Sequence, residues 1–183
     1  MSLSLSKSEE SNLRVTVITS TSNNNLKLAN QIGQHLEKRS CDFNLIDLDE
    51  TVLPLYSPKA EKAGIPELAK ELTTQLAESD GLIFVAPEYN GSIPPNITNL
   101  VAWVSRSSED WRAAFNQKFA IVATHSGGGG LKVLEAMRRQ LEHVGAVVLP
   151  RAIHTTYSKP AKEESLDAIF DQFVFYLKST TQK

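Results

Sequence analysis

Residues 20–25 run Ser20, Thr21, Ser22, Asn23, Asn24, Asn25, six small polar side chains in succession. They offer hydroxyls, amides and exposed backbone N–H groups. If the run opens a helix, the helix dipole adds roughly half a positive charge there. Together these suit a phosphate monoester. The structural alternative is a turn with an N-cap, although a cap needs only one or two such residues. No G-x-G-x-x-G and no Lys-Ser/Thr ending is present, so a dinucleotide pyrophosphate or a nucleoside triphosphate is poorly matched.

A second stretch, residues 87–95, reads Pro87, Glu88, Tyr89, Asn90, Gly91, Ser92, Ile93, Pro94, Pro95. Gly91 frees the backbone and the prolines stiffen it. An aromatic ring, an amide and exposed N–H groups on a rigid loop suit a flat heteroaromatic ligand. On spacing alone, a plain Pro-Gly turn reads equally well. A third stretch, residues 124–130, reads Thr124, His125, Ser126 and then four glycines, Gly127 to Gly130. Successive glycines are entropically costly and suit a backbone that must approach a ligand closely. The alternative is a flexible linker, but a connection from a buried strand to its helix is usually short. His125 either hydrogen-bonds the ligand or caps the turn.

Other reactive residue types carry less. The four histidines, His35, His125, His143 and His154, form no H-E-x-x-H and no Cys/His spacing, so no metal site is expected. His35 and His143 fall on helices and are expected at the surface. Ser126 lacks the G-x-S-x-G of a nucleophile elbow. Glu88 reads as a local hydrogen-bonding group, Trp103 and Trp111 as packing or interface residues. Arg106 and Arg112 are candidate partners for a nucleotide phosphate. Cys41 has no partner for an internal disulfide and no basic neighbour to activate it, so it reads as structural.

The elements that position these stretches alternate strictly. Strands are expected over residues 13–19, 43–48, 81–86, 119–124 and 146–149, each rich in β-branched or apolar residues. Between them lie helical patterns: residues 25–37, a helix started by Pro66, and one carrying Ile97, Leu100, Val101 and Val104. Leu131, Leu134 and Leu141 mark the buried face of the next. Leu166, Ile169, Phe170, Phe173 and Leu177 mark the last. Residues 53–64 read as a Pro-containing loop. Five strands alternating with five helices predict a three-layer α/β/α sandwich on a five-stranded parallel sheet, in the flavodoxin-like order 2-1-3-4-5. In that order, ligands bind beyond the carboxyl ends of the strands where strand order reverses. That location gathers the loops after strands 1, 3 and 4, the three stretches above.

Bulk properties fit one domain over residues 13–183, preceded by a Ser-rich polar leader over residues 1–12 that is expected to be disordered. The leader lacks the apolar core of a signal peptide. A net charge of −2 advertises no nucleic-acid or acidic-membrane partner. No apolar run approaches the roughly 20 residues of a membrane helix. The single cysteine fits a reducing compartment, the cytoplasm.

The stretch PEYNGSIP, followed by an Asn and by Ala102-Trp103-Val104-Ser105-Arg106, resembles the NAD(P)H-dependent FMN reductase family of quinone, azo and chromate reductases. The resemblance spans residues 14 to about 157. It implies FMN as cofactor and NADPH or NADH as co-substrate, with electrons passed to a quinone, azo compound, metal oxyanion or free flavin. It places the FMN phosphate at Ser20, Ser22, Asn24 and Asn25. The isoalloxazine ring would lie against Pro87, Glu88, Tyr89 and Asn90, with Ser126, Gly127, Gly128 and Gly129 near its pyrimidine edge; Gly91 and His125 complete the candidate cofactor-binding residues. It also implies a homodimer or homotetramer. The chain departs from the family at the first loop, which has no Arg and has Thr19-Ser20 where Gly-Ser is expected. This run is closer to that of flavodoxins, which hold the phosphate with neutral donors. The competing readings are a flavodoxin-type electron carrier and a flavin-free binding protein on the same fold.

Overall fold

The computed structural model describes residues 12–181. Of the expected polar leader, all but Asn12 lies outside the described residues. The chain runs β1 (Leu13–Thr19), α1 (Asn24–Glu37), β2 (Cys41–Asp47), α2 (Pro58–Ala63), α3 (Glu67–Glu78), β3 (Gly81–Val85) and α4 (Pro95–Val104). It continues with β4 (Phe119–His125), α5 (Leu131–His143), β5 (Val147–Val148), β6 (Ile153–Thr155) and α6 (Glu163–Thr181).

All strand pairs are parallel, in the order β2-β1-β3-β4-β5, with β6 also on β4. The central strands are apolar because helices cover both faces. In β3, Leu82, Ile83, Phe84 and Val85 are all fully buried. One face carries Ile18, Leu82, Phe84 and Val122 under α3, α4 and α5. The other carries Val15, Val17, Ile83 and Ile121 under α1 and α6. This is the flavodoxin-like doubly wound sandwich that the alternation predicts.

The fifth strand, expected to open at residues 146–149, is broken into two short pieces. Phe119 and Ala120 pair with Val147 and Val148, then Ala123, Thr124 and His125 pair with Ile153, His154 and Thr155. Pro150 lies between the two pieces and has no N–H to donate. The Arg138 guanidinium from α5 binds the carbonyls of Val148, Leu149 and Pro150 across the break.

Three smaller expectations are also corrected. The loop over residues 53–64 contains a helix, α2, capped by the Ser57 hydroxyl accepting from the Ala60 N–H. Leu131, read as part of the buried stripe of α5, is 59% exposed, because Val133, Leu134, Met137 and Leu141 define that face. His35, expected at the surface, is 1% exposed. It stacks on Phe170 of α6 and faces carboxylates on both sides, Glu163 and Asp167 at 3.1 Å each. A buried polar ring needs such partners.

Candidate active site

The strand order reverses between β1 and β3, and the three predicted loops meet there. Each continues a strand past its carboxyl end. The Ser20 N–H bonds the Val85 carbonyl at 3.0 Å, the Ala86 N–H bonds Ala123, and the Ser126 N–H bonds Thr155. The ladder thus extends one residue into each loop and fixes where it starts.

In the first loop, Ser20 is fully buried and its hydroxyl has no partner. Asn23 precedes α1 without a side-chain cap, and the first intrahelical bond runs from the Lys27 N–H to the Asn23 carbonyl. The N–H groups of Asn24, Asn25 and Leu26 therefore open outward from the helix end. Asn24 and Asn25 spend their side chains within the protein. The Asn24 amide donates to the Tyr157 hydroxyl at 3.0 Å. The Asn25 amide donates to the His125 carbonyl and accepts from the His125 N–H. What Asn25 can offer a ligand is thus its backbone N–H. Ser22 is engaged by carboxylates: its hydroxyl donates to Asp47 at 2.8 Å and its N–H to Asp49 at 3.3 Å.

The second loop closes on itself. Tyr89 and Ser92 exchange backbone hydrogen bonds at 3.1 and 2.9 Å around Asn90 and Gly91. These two residues have φ of +50° and +74°, the tight hairpin geometry that an Asn-Gly pair favours. Glu88 accepts from the Lys132 N–H at the start of α5, tying the second loop to the third. Tyr89 is half exposed at the rim, and Pro87 is half buried.

In the third loop, the Ser126 hydroxyl accepts from the Gly128 N–H. Gly130 has φ +71°, and a Cβ there would lie 3.0 Å from the Thr124 methyl, so the fold requires glycine. At Gly128 and Gly129 the φ is ordinary and nothing lies within 4 Å of an added Cβ. Neither backbone strain nor internal packing demands glycine there. Close approach of a ligand would.

A fourth segment joins the cluster. After β6, Tyr157 stands 77% exposed, its ring edge-on to His125 at 5.0 Å between centroids. The strand that leads to it is only three residues long, so no local periodicity marks Tyr157 as part of this cluster. Asn96, the Asn that follows PEYNGSIPP, lies in the first turn of α4, where the motif alone assigns it no role. It donates its amide to the Ser20 carbonyl at 2.7 Å.

Of the candidate nucleotide-phosphate partners, Arg106 is held in an ion pair, while Arg112 has a ring contact and a buried Nε without a partner. Arg106 pairs with Glu61 at 2.7 Å, and the Tyr56 hydroxyl donates to the same carboxylate. These bonds, Arg106 first, hold Glu61 below the usual carboxylate range. Arg112 lies over the Trp111 ring at 4.3 Å. Trp103 is fully buried and donates to the Pro54 carbonyl, a packing role. Among the described residues, no cluster of three His, Cys, Asp or Glu side chains forms a metal site, and no helix is long and apolar enough to cross a membrane.

The polar groups left open here are the N–H groups at the start of α1 together with orphaned side-chain atoms, a mixture of donors and acceptors that a hydrogen-bonding ligand would satisfy. Among the described residues, six buried side-chain polar atoms lack a partner. Five of them, on Ser20, Asn96, Thr124, His125 and His154, lie in this loop cluster or directly beneath it.

Comparison with known proteins bears on the family and the fold. The chain is 34% identical over 100 residues to a 2-hydroxy-1,4-benzoquinone reductase of Burkholderia sp, covering 54% of this chain and 52% of that protein. It is 31% identical over 100 residues to a quinone reductase of Escherichia coli (strain K12), covering 53% and 52%. The chain thus spans about half the length of these relatives. The solved structure of FerB, a flavoenzyme NAD(P)H:(acceptor) oxidoreductase from Paracoccus denitrificans, superposes with a TM-score of 0.75 at 25% identity. That match covers 91% of this chain and 98% of FerB. The family model described as NADPH-dependent FMN reductase matches residues 13–158, from the start of β1 to the residue after Tyr157, and the chain belongs to that family.

Proposed function

We propose that this chain is an NAD(P)H-dependent FMN oxidoreductase that reduces a small acceptor: a quinone, an azo compound, a metal oxyanion or free flavin. The observation that carries this reading is the gathering of unpartnered polar atoms in and beneath the loops that follow β1, β3 and β4. Buried polar groups in a finished structure are normally satisfied, so a cluster of exceptions calls for a ligand. The family match and the quinone reductases among the relatives support the same reading.

In this reading, the N–H groups at the start of α1 take the phosphate, with Ser20, Ser22, Asn24 and Asn25 surrounding it. Pro87, Glu88, Tyr89, Asn90 and Gly91 form a stiff shelf for the ring. His125, Ser126, Gly127 and Gly128 border its pyrimidine edge. When bound, FMN supplies the redox chemistry between the nicotinamide nucleotide and the acceptor. The protein's work is positioning: the closed hairpin at Tyr89–Ser92 and the Asn25–His125 tie hold the loops in fixed relation. No side chain is needed as a general acid or base. The exposed Tyr89 and Tyr157 flank the open side, where both substrates would enter in turn.

The reading extends to a cytoplasmic homodimer or homotetramer, supported by the exposed Val52, Leu55 and Phe175 and testable by light scattering. The central test is the visible spectrum of purified or FMN-reconstituted protein, followed by anaerobic NADPH or NADH. A flavin spectrum that bleaches on addition is expected. A flavin that stays oxidised would indicate an electron carrier, and a protein that takes up no FMN would indicate a flavin-free binding protein.

A further inference from the structure

The proton arrangement at His125 can be worked out from its neighbours. The Thr155 hydroxyl lies 3.0 Å from the Thr124 carbonyl and donates its single proton there. It faces His125 Nδ1 at 3.1 Å and can then only accept. Nδ1 therefore carries the imidazole proton, which leaves Nε2 of the neutral ring as a bare acceptor. That atom is buried and has no partner. The ring is braced, with the Tyr157 ring edge-on at 5.0 Å and both backbone groups of His125 held by Asn25.

We propose that His125 Nε2 accepts a hydrogen bond from the bound flavin nucleotide, making this histidine a reader of ligand N–H or O–H groups. The proposal rests on the flavin reading above. Two observations point to a ligand donor rather than to water or a turn cap. The turn is already capped by Ser126, whose hydroxyl takes the Gly128 N–H. And His125 is lashed to Asn25 in the first turn of α1, while its neighbour Tyr157 is bonded to Asn24. A ligand with its phosphate at that helix end and its ring beside the glycine loop must cross here. FMN carries two kinds of donor along that path, the hydroxyls of its ribityl chain and the imide N–H of its ring. A carbonyl edge presented to the same nitrogen would meet lone pair with lone pair.

The experiment is calorimetric titration of the flavin-free full chain with three ligands. These are FMN, 3-deaza-FMN, which has carbon in place of the imide nitrogen, and 2′-deoxy-FMN, which lacks the ribityl hydroxyl nearest the ring. One analogue is expected to bind about 5- to 100-fold more weakly than FMN, the range for a lost hydrogen bond to a buried acceptor. Which analogue loses affinity identifies the donor. In His125→Leu that penalty should vanish, so that FMN and the affected analogue bind alike. The proposal is overturned if both analogues bind the wild-type protein as FMN does, a comparison that needs no variant. It is also overturned if the penalty persists in folded His125→Leu. Failure of FMN itself to bind would instead remove the flavin reading.

Discussion

The Asn25 side chain forms a two-bond ring with the backbone of His125, donating to its carbonyl at 3.0 Å and accepting from its N–H at 2.8 Å. These residues are 100 positions apart, at the ends of β1's loop and of β4. The amide acts as one more rung of the sheet and locks the first loop to the third. Asn25→Asp keeps the shape but cannot donate, and it sets a carboxylate against the His125 carbonyl. An unsatisfied buried group of this kind costs about 1–3 kcal/mol. Urea unfolding should show a loss of that size. Titrations should show weaker binding of both FMN and riboflavin, since the site's frame is disturbed. Unchanged stability would mean that the tie carries no energy.

Ser22 shows how the first loop is arranged without an arginine. Its hydroxyl and N–H point at Asp47 and Asp49, both on the β2 side. An incoming phosphate would have to share these donors with two carboxylates. Asp49→Asn removes one like charge, worth about 1 kcal/mol at 4 Å in water. FMN should bind about 5-fold tighter to this variant at low salt. Added salt should erase the gain, and riboflavin, which has no phosphate, should be indifferent. An equal gain for riboflavin would place the phosphate elsewhere.

The sheet order and the loop set were legible because strand and helix periods are local properties of the chain. β3 reads as a covered strand from GLIFV alone. The division of labour within the site was not legible. Asn25 looks like a phosphate donor in a polar run, but its side chain answers to His125, which no local pattern shows. Tyr157 and the β5–β6 break escaped for a related reason. A strand interrupted at Pro150 and resumed at Ile153 has no periodicity to detect, and its pairing depends on β4. His35 misled because helix position alone gave no sign of the carboxylates on α6.

Those carboxylates make stability depend on acid. The Arg39 hydrogen bond, followed by that from His35, holds Asp167 below its ordinary value against the opposing effect of desolvation. A lowered folded-state pKa means that the ionised form favours folding. This contribution is complete above the unfolded carboxylate value and is lost as pH falls through the folded one. Asp167→Asn should therefore destabilise the protein at neutral pH. The gap from wild type should close as denaturation is repeated toward pH 3. Asp167 is half exposed, so solvent screening keeps the effect small. A gap that stays constant with pH would assign the loss to packing rather than charge.

The glycine loop separates structural from ligand-imposed demands. At Gly130, φ is +71° and an added Cβ would meet Thr124 at 3.0 Å and His154 at 3.2 Å. Gly130→Ala must bear left-handed backbone strain of about 1–2 kcal/mol in addition to the contact. It should unfold at lower urea concentration with or without cofactor. At Gly128 the backbone is ordinary and the space beside it is empty. Gly128→Ala should therefore leave the stability of the flavin-free protein unchanged, or raise it by about 0.4–1 kcal/mol through a less flexible unfolded chain. If the loop backbone lies against the flavin, the same methyl should weaken FMN and riboflavin binding together by about 10-fold or more, the scale of one displaced contact of about 1.4 kcal/mol. The two glycines are two residues apart, yet one variant should fail in folding and the other only in binding. Full cofactor affinity in Gly128→Ala would remove the case for close approach by the third loop.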